Sequence, residues 1–261
     1  MTEQTTKVEF GVIIPARFAS TRLPGKPLAS LGGKPMVVRV MELATRAGAT
    51  FVVVATDDER VAEAVTSAGG DAVLTSSEHE TGTDRLAEVA RRLHLDPETI
   101  VVNLQGDEPA LPPELLARAA QTLSADPDAG LATLATPIKE LRELTDPNVV
   151  KVVLDQGHRA LYFSRAPIPW SRDGNPLEQD GTSRPEETFL RHIGVYAYRV
   201  STLLSLSQAR PAPLELAERL EQLRALWLGM KIQVALVPEL PAGGVDTEAD
   251  LIRVRALFEK Q

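Results

Sequence analysis

The chain has 261 residues, 43% hydrophobic, 25% charged and only 4% aromatic, so its core must rest on Val, Leu, Ile and Ala; the length suits one large α/β domain, with or without a small insertion. Its 28 Lys and Arg stand against 36 Asp and Glu, a net charge of −8, which argues against nucleic-acid binding, where clustered cations are needed, but permits a local basic pocket for one small anion. The lack of cysteine removes disulfides, thiolate zinc sites and a cysteine nucleophile; with a polar start at residues 1–7 and no run near the roughly 18 apolar residues of a membrane span, a cytoplasmic protein with no membrane partner is expected.

Residues 10–15 are a short β-branched run, read as a buried strand. A polar loop follows, and then residues 35–47 carry Val37, Val38, Met41 and Ala44 at helical spacing before Gly48. Strands are expected at 51–55, 72–74, 100–104 and 131–138, with helices at 59–68, 83–93 and from Pro112-Pro113 to 123. Alternation of this kind means βαβ units and a Rossmann-like, doubly wound, mainly parallel sheet. The second half changes character. Residues 149–154 and 160–164 flank Asp155-Gln156-Gly157 as a hairpin, 170–187 read as a polar loop, and 192–198 as a strand. The stretch at about 146–198 is thus expected to be an antiparallel β insertion in a single domain spanning 1–261. Residues 213–229 read as one periodic helix with Leu216, Leu220, Leu223, Leu226 and Trp227 in the core. A strand at 232–237 and a helix at 247–259 close the chain.

The loop after the first strand holds Arg17, Arg22 and Lys26 within ten residues. Ligands of open α/β sheets bind at the carboxyl ends of strands, where arginine offers phosphate a planar fork and lysine a compact charge. Gly25 permits a tight turn beside an anion. A P-loop is excluded because residue 20 is serine and residue 27 proline, and no G-x-G-x-x-G follows the strand. The competing reading is a solvated loop with its cations in water.

Two acidic positions stand out. Asp107 follows the strand at 100–104, at the same sheet edge, where a carboxylate can ligate Mg²⁺ or simply cap a helix. Asp246 precedes Thr247, which with Asp250 has the spacing of a capping-box variant, so Asp246 is either part of that cap or a ligand. The two lie 139 residues apart in the chain. Elsewhere Thr83 reads as a helix N-cap after Gly82. Arg165, before a proline-stiffened turn, can clamp a carboxylate or lie free on the surface. His192 on a strand is more often structural than functional.

Several of these segments, taken in order, resemble one family. Residues 12–28, VIIPARFASTRLPGKPL, look like the N-terminal signature of the CMP-Kdo synthetases (3-deoxy-manno-octulosonate cytidylyltransferases). The runs QGDEP at 105–109, GTDR at 82–85, FSRAPIPW at 163–170, RHIGVYAY at 191–198 and GVDTEADL at 244–251 are similar to further motifs of that family. The resemblance implies that Pro15, Ala16, Arg17, Arg22, Lys26, Gly82, Thr83, Arg85 and Gln105 surround CTP, with Arg17 and Lys26 on the triphosphate. It implies that Asp107 and Asp246 ligate Mg²⁺, and that Arg17, Lys26, Asp107 and Asp246 are the catalytic set. Gln105, Arg165, His192, Tyr196, Glu221 and Gln222 are implied around the sugar, with Arg165 on its carboxylate. The implied reaction is transfer of CMP from CTP to 3-deoxy-D-manno-octulosonate (Kdo), by a homodimer that uses the insertion for sugar and dimer contacts. Activation of a sialic acid or 8-amino-Kdo is the enzymatic alternative, and a non-catalytic nucleotide-binding protein the other.

Overall fold

The computed structural model describes residues 8–19, 23–172, 188–239 and 241–259. Strand β1 (Gly11–Ala16) leads through a short 3-10 turn (Lys26–Leu28) and a tiny ribbon, β2 (Ser30–Leu31) with β3 (Lys34–Pro35), into α1 (Met36–Arg46). There follow β4 (Phe51–Thr56), α2 (Glu59–Ser67), β5 (Asp71–Leu74), α3 (Gly82–Arg92), β6 (Ile100–Asn103), α4 (Glu114–Ala125), β7 (Leu131–Pro137) and α5 (Leu141–Thr145). The hairpin β8 (Lys151–Leu154) and β9 (Ala160–Ser164) precedes β10 (Leu190–Arg199), α6 (Val200–Gln208), α7 (Pro213–Glu218), α8 (Gln222–Trp227), β11 (Ile232–Leu236) and α9 (Glu248–Phe258).

The sheet runs β11-β7-β10-β6-β1-β4-β5, with β8 pairing with β10 and carrying β9. β1 is parallel to both β4 and β6, whereas β10 is antiparallel to β6 and β7. This is the mainly parallel α/β sheet with an antiparallel part that the alternation of runs called for, with β10 set inside the main sheet. Side chains alternate along a strand, so Val12 and Ile14 enter one core layer and Ile13 the other. The first layer holds Val37 and Val40 of α1, Val61 of α2 and Leu116 of α4; the second holds Leu86 of α3, Leu203 of α6 and Leu223 of α8. A small third core joins Leu31 and Met36 to Val245, Leu251 and Val254.

One expected helix is two. Arg219 takes a left-handed conformation (φ 54°) and splits 213–229 into α7 and α8. The reason is a buried ion pair: the Glu215 carboxylate accepts from Arg224 Nε at 2.8 Å and from the Ala212 amide at 2.9 Å, folding the second helix back on the first. The periodicity persists across the break, but Leu216 and Trp227 lie exposed rather than in the core. The helix at 200–208 carried no sequence signal that was read. The loop expected at 170–187 lies, from residue 173 on, outside the described residues, as do Arg22 and the first seven residues.

The topology decides where a site can form. β1 and β6 are adjacent and parallel, so the loops after Ala16 and Asn103 leave from one rim. β10 runs the other way, with Tyr196 opposite Asn103, which brings its first residues to that rim. β11 is parallel to β7, so the segment from 237 to 247 also departs there.

Candidate active site

The rim holds a cleft of about 320 Å³ lined by Pro15, Ala16, Arg17, Lys26, Gly82, Gln105, Gly106 and Asp107. Gly106 makes the close approach of the two strand ends possible. Its amide donates to Pro15 O at 3.3 Å, and a Cβ there would stand 2.9 Å from that oxygen.

Asp107 and Asp246, distant in sequence, meet through Lys26. Lys26 Nζ donates to Asp107 Oδ2 at 2.6 Å, to Val245 O at 2.9 Å and to Asp246 Oδ1 at 3.5 Å. The Val245 amide donates in turn to Asp107 O at 2.8 Å, docking one loop on the other. Thr247, not Asp246, caps α9 in a capping box with Asp250, which leaves the Asp246 carboxylate pointing at the cleft cation. The neighbouring Glu108 was not singled out from the sequence, although it stands beside Asp107. Burial, and then the Asp107 and Asp246 carboxylates, push its carboxyl up to about 7, against the pull of Lys26 and Arg253.

This donor set fits a hard divalent cation. An ammonium already sits between the two carboxylates and a backbone carbonyl, all oxygen donors of the kind Mg²⁺ takes. Among the described residues no three or more His, Cys, Asp or Glu side chains form a metal cluster. Two carboxylates are as many as Mg²⁺ usually takes from protein, with phosphate and water completing its shell.

Arg17 reaches across the cleft, its guanidinium donating to His79 O. Arg85 does not line the cleft. Its side chain is fully buried, donating to Asp57 Oδ2 at 3.1 Å and to the Thr75 hydroxyl, while Asp57 Oδ1 accepts the Phe18 amide at 3.3 Å. Arg85 therefore braces the first loop from below. The cap of α3 is Thr81, which accepts from the Asp84 amide at 3.1 Å; Thr83, expected to be the cap, is the buried second residue of the helix. The reason is a helix that starts at Gly82, one residue earlier than read.

Gln105 also lines a smaller cavity of about 120 Å³ together with Glu108, Arg191 and His192. The His192 ring meets Tyr196 at 5.3 Å and Phe163 at 5.1 Å, and Tyr196 stacks on Tyr198 at 5.8 Å. The Thr133 hydroxyl donates to Val195 O at 2.8 Å, so its oxygen can accept from His192 Nε2–H at 3.0 Å. Glu221 approaches the same tyrosines and the Thr81 and Thr83 hydroxyls; burial raises its carboxyl, and those hydroxyls oppose the shift. Gln222 opens α8, half-buried. Arg165 stands apart from both cavities, its guanidinium donating to Glu218 O at 2.7 Å and Pro147 O at 2.9 Å. Its backbone is held by Glu218 Oε2 (2.9 Å) and by the buried Lys151 ammonium (2.6 Å), neither read from the sequence.

Burial drives the His192 imidazole down to about 3. Between pH 6.5 and 3 the unfolded chain binds a proton there that the folded chain refuses, so stability is lost as pH falls from about 6.5. The expected loss is on the order of 1–2 kcal/mol at pH 5. Urea unfolding at pH 7.5 and 5.0 checks it: the drop should shrink in His192→Gln, and an equal drop in both proteins would refute the assignment.

Comparisons with known proteins identify the family. The sequence model of the family described as "Cytidylyltransferase" matches residues 11–232. A 3-deoxy-manno-octulosonate cytidylyltransferase of Proteus mirabilis (strain HI4320) is 53% identical over 95% of this chain and 97% of its own length. One of Marinobacter nauticus (strain ATCC 700491 / DSM 11845 / VT8) is 52% identical over 97% of this chain and 98% of its own. A solved CMP:2-keto-3-deoxy-manno-octonic acid synthetase complexed with CTP superposes with a TM-score of 0.86 at 42% identity, covering 97% of this chain and 99% of that one. A cytidylyltransferase from Leptospira borgpetersenii serovar Hardjo-bovis (strain JB197), at 17% identity and a TM-score of 0.60 over 97% of this chain and 88% of that one, shares the fold. A rim cleft of this construction, matched over nearly its whole length by such relatives, makes the chain a member of the cytidylyltransferase family, among the 3-deoxy-manno-octulosonate cytidylyltransferases.

Proposed function

We propose that this protein transfers CMP from CTP to the anomeric hydroxyl of Kdo, releasing pyrophosphate and giving CMP-Kdo. The observation that carries the reading is the meeting of Lys26, Asp107 and Asp246 at the cleft that Arg17 and Gly82 also line. Relatives at 53% and 52% identity named for this activity support the choice of sugar.

Catalysis in such a reaction rests on positioning and charge stabilisation. The sugar's C2 hydroxyl attacks the α-phosphorus, and pyrophosphate leaves in line. Arg17 and Lys26 bind the triphosphate and offset charge growing on the departing pyrophosphate. Asp107 and Asp246 would hold Mg²⁺, which supplies Lewis acidity at the phosphate when bound. Gln105, on the wall between the two cavities, orients nucleotide and sugar towards each other. His192, neutral, lines the smaller cavity on the sugar side, with Tyr196 packed against it. Glu221 and Gln222, like Tyr196, line neither cavity and would support that side from behind. Arg165 would meet the sugar carboxylate once its guanidinium leaves the carbonyls of Glu218 and Pro147. No covalent intermediate is needed, since the attacking group is the sugar's own oxygen.

The setting we infer is a cytoplasmic homodimer serving lipopolysaccharide synthesis. Among the described residues no helix is long and apolar enough to cross a membrane. Leu161 of the hairpin, Trp170 after it and Trp227 of α8 are 60%, 83% and 58% exposed, large apolar side chains that a second copy could cover.

Supplying CTP and Mg²⁺ with Kdo, 8-amino-Kdo or a sialic acid in turn, and measuring pyrophosphate, tests the reaction. The highest kcat/KM is expected with Kdo. Release only with another sugar would correct the substrate, and CTP binding without release on any sugar would refute the enzyme.

A further inference from the structure

Asp246 stands on a short segment, and the structure shows what holds it. Val245 is fully buried with Leu251 and Val254 of α9, and its amide donates to Asp107 O at 2.8 Å. One step upstream, Arg253 Nη2 lies 3.0 Å from Gly243 O, 3.2 Å from Gly244 O and 3.2 Å from Asp250 Oδ1. Asp250 is the residue whose other oxygen accepts the Thr247 amide at 3.0 Å and the Asp246 amide at 3.3 Å. One guanidinium thus grips the segment before Asp246 and the carboxylate that fixes the segment after it. All three contacts fall on Nη2, at the far end of the guanidinium, so the site uses the reach and fixed charge of arginine. The segment has no slack: a Cβ on Gly244 would lie 2.7 Å from Glu108 Oε1 and 3.0 Å from Asp107 O.

We propose that Arg253 is a positioning residue for the metal site, holding the Gly243 and Gly244 carbonyls and Asp250 so that the Asp246 carboxylate faces that of Asp107. The proposal rests on the reading above that Asp107 and Asp246 hold a divalent cation. Arg253 lines neither cavity; it acts as the outer support of a ligand, a role whose loss typically costs about 10–100-fold in metal affinity. Gly244 serves the same end by letting the loop lie flat against residues 107–108.

The test is Mn²⁺ binding by electron paramagnetic resonance, with CTP present and sugar absent, on wild type, Arg253→Ala, Arg253→Lys, Gly244→Ala, Arg255→Ala and Asp107→Asn, each also followed by thermal unfolding. Arg253→Ala and Gly244→Ala are expected to weaken Mn²⁺ binding about tenfold or more. Arg253→Lys should fall between, since lysine keeps the charge but its shorter stem leaves the ammonium short of the position that Nη2 holds. Arg255→Ala, on the same helix but bonded to Ser30 O at 3.1 Å, should bind as wild type does. In activity assays Arg253→Ala should need more Mg²⁺ yet approach wild-type kcat at saturation. Folded Arg253→Ala and Gly244→Ala proteins with wild-type Mn²⁺ affinity would overturn the proposal, as would variants that lose stability and kcat together with no change in metal dependence. If Arg253→Ala does not fold, Arg253→Lys and Gly244→Ala decide in the same way. Unchanged Mn²⁺ binding in Asp107→Asn would instead show that the metal assignment has failed, and the proposal falls with it.

Discussion

A Lys26→Met protein is expected to turn over about 10²–10³-fold more slowly than wild type, as when one transition-state donor is removed, and yet to bind Mn²⁺ more tightly when no nucleotide is present. The two effects have opposite signs because Lys26 has two sets of partners. Its ammonium lies 2.6 Å from Asp107 and 3.5 Å from Asp246, and its side chain is only 14% exposed, so in the free protein it neutralises the carboxylates that a metal would use. Methionine keeps most of the length and removes the charge, so the ammonium no longer competes with an incoming cation for the two carboxylates. On the proposed reading, the same substitution would remove a donor to the phosphates once CTP is bound. Steady-state kinetics measure the first effect and Mn²⁺ titration without CTP the second. A variant with full turnover would sink the catalytic role, and one with unchanged or weaker metal binding would sink the competition.

The second large effect is on stability. Arg224→Met is expected to cost about 3–5 kcal/mol, because removing one partner strands the other charge in the interior. Glu215 and Arg224 have side chains only 10% and 5% exposed, with Nε 2.8 Å from Oε2, and Arg224 Nη1 also donates to Leu206 O at 3.0 Å. For a chain of this size that loss corresponds to a fall in Tm of roughly 10 °C. Replacing both residues, as Glu215→Leu with Arg224→Met, should restore most of the stability, since no lone charge is left behind. Calorimetry on the two variants decides, and equal losses in the single and the double variant would contradict the ion-pair account. The pair also holds the bend that sets Glu221 and Gln222 at the head of α8, so the single variant should show a raised KM for the sugar beyond its loss of stability.

The strands were legible because buried parallel strands are continuous β-branched runs, as at 11–16, 51–56 and 100–103. The capping box at Thr247 was equally plain, because its two members sit three residues apart. Where reading stopped short, a contact distant in sequence was responsible. The break at Arg219 answers to Glu215 and Arg224 packing as a pair, which helical periodicity does not encode. Arg85 carries a motif that resembles a nucleotide contact, yet its guanidinium is drawn inward by Asp57 and Thr75. Arg165 likewise spends its donors on backbone carbonyls 18 and 53 residues away. Lys151 gave no signal, since it acts through main-chain oxygens that any residue would supply, and Arg253 showed only its spacing from Asp250, its other acceptors being main-chain oxygens as well.

The sequence alone determined the class of fold, the identity of the cationic loop and the two acidic motifs, because hydrophobic period, strand-end position and local spacing are all properties of neighbours in the chain. Tertiary structure alone decided that Asp107 and Asp246 face one cation, because this depends on β6 and the segment after β11 leaving the sheet at the same rim, and on Val245 and Arg253 holding that segment down. Charges brought together across 139 residues are set by topology and packing, and neither is written in any stretch of residues short enough to be read by itself.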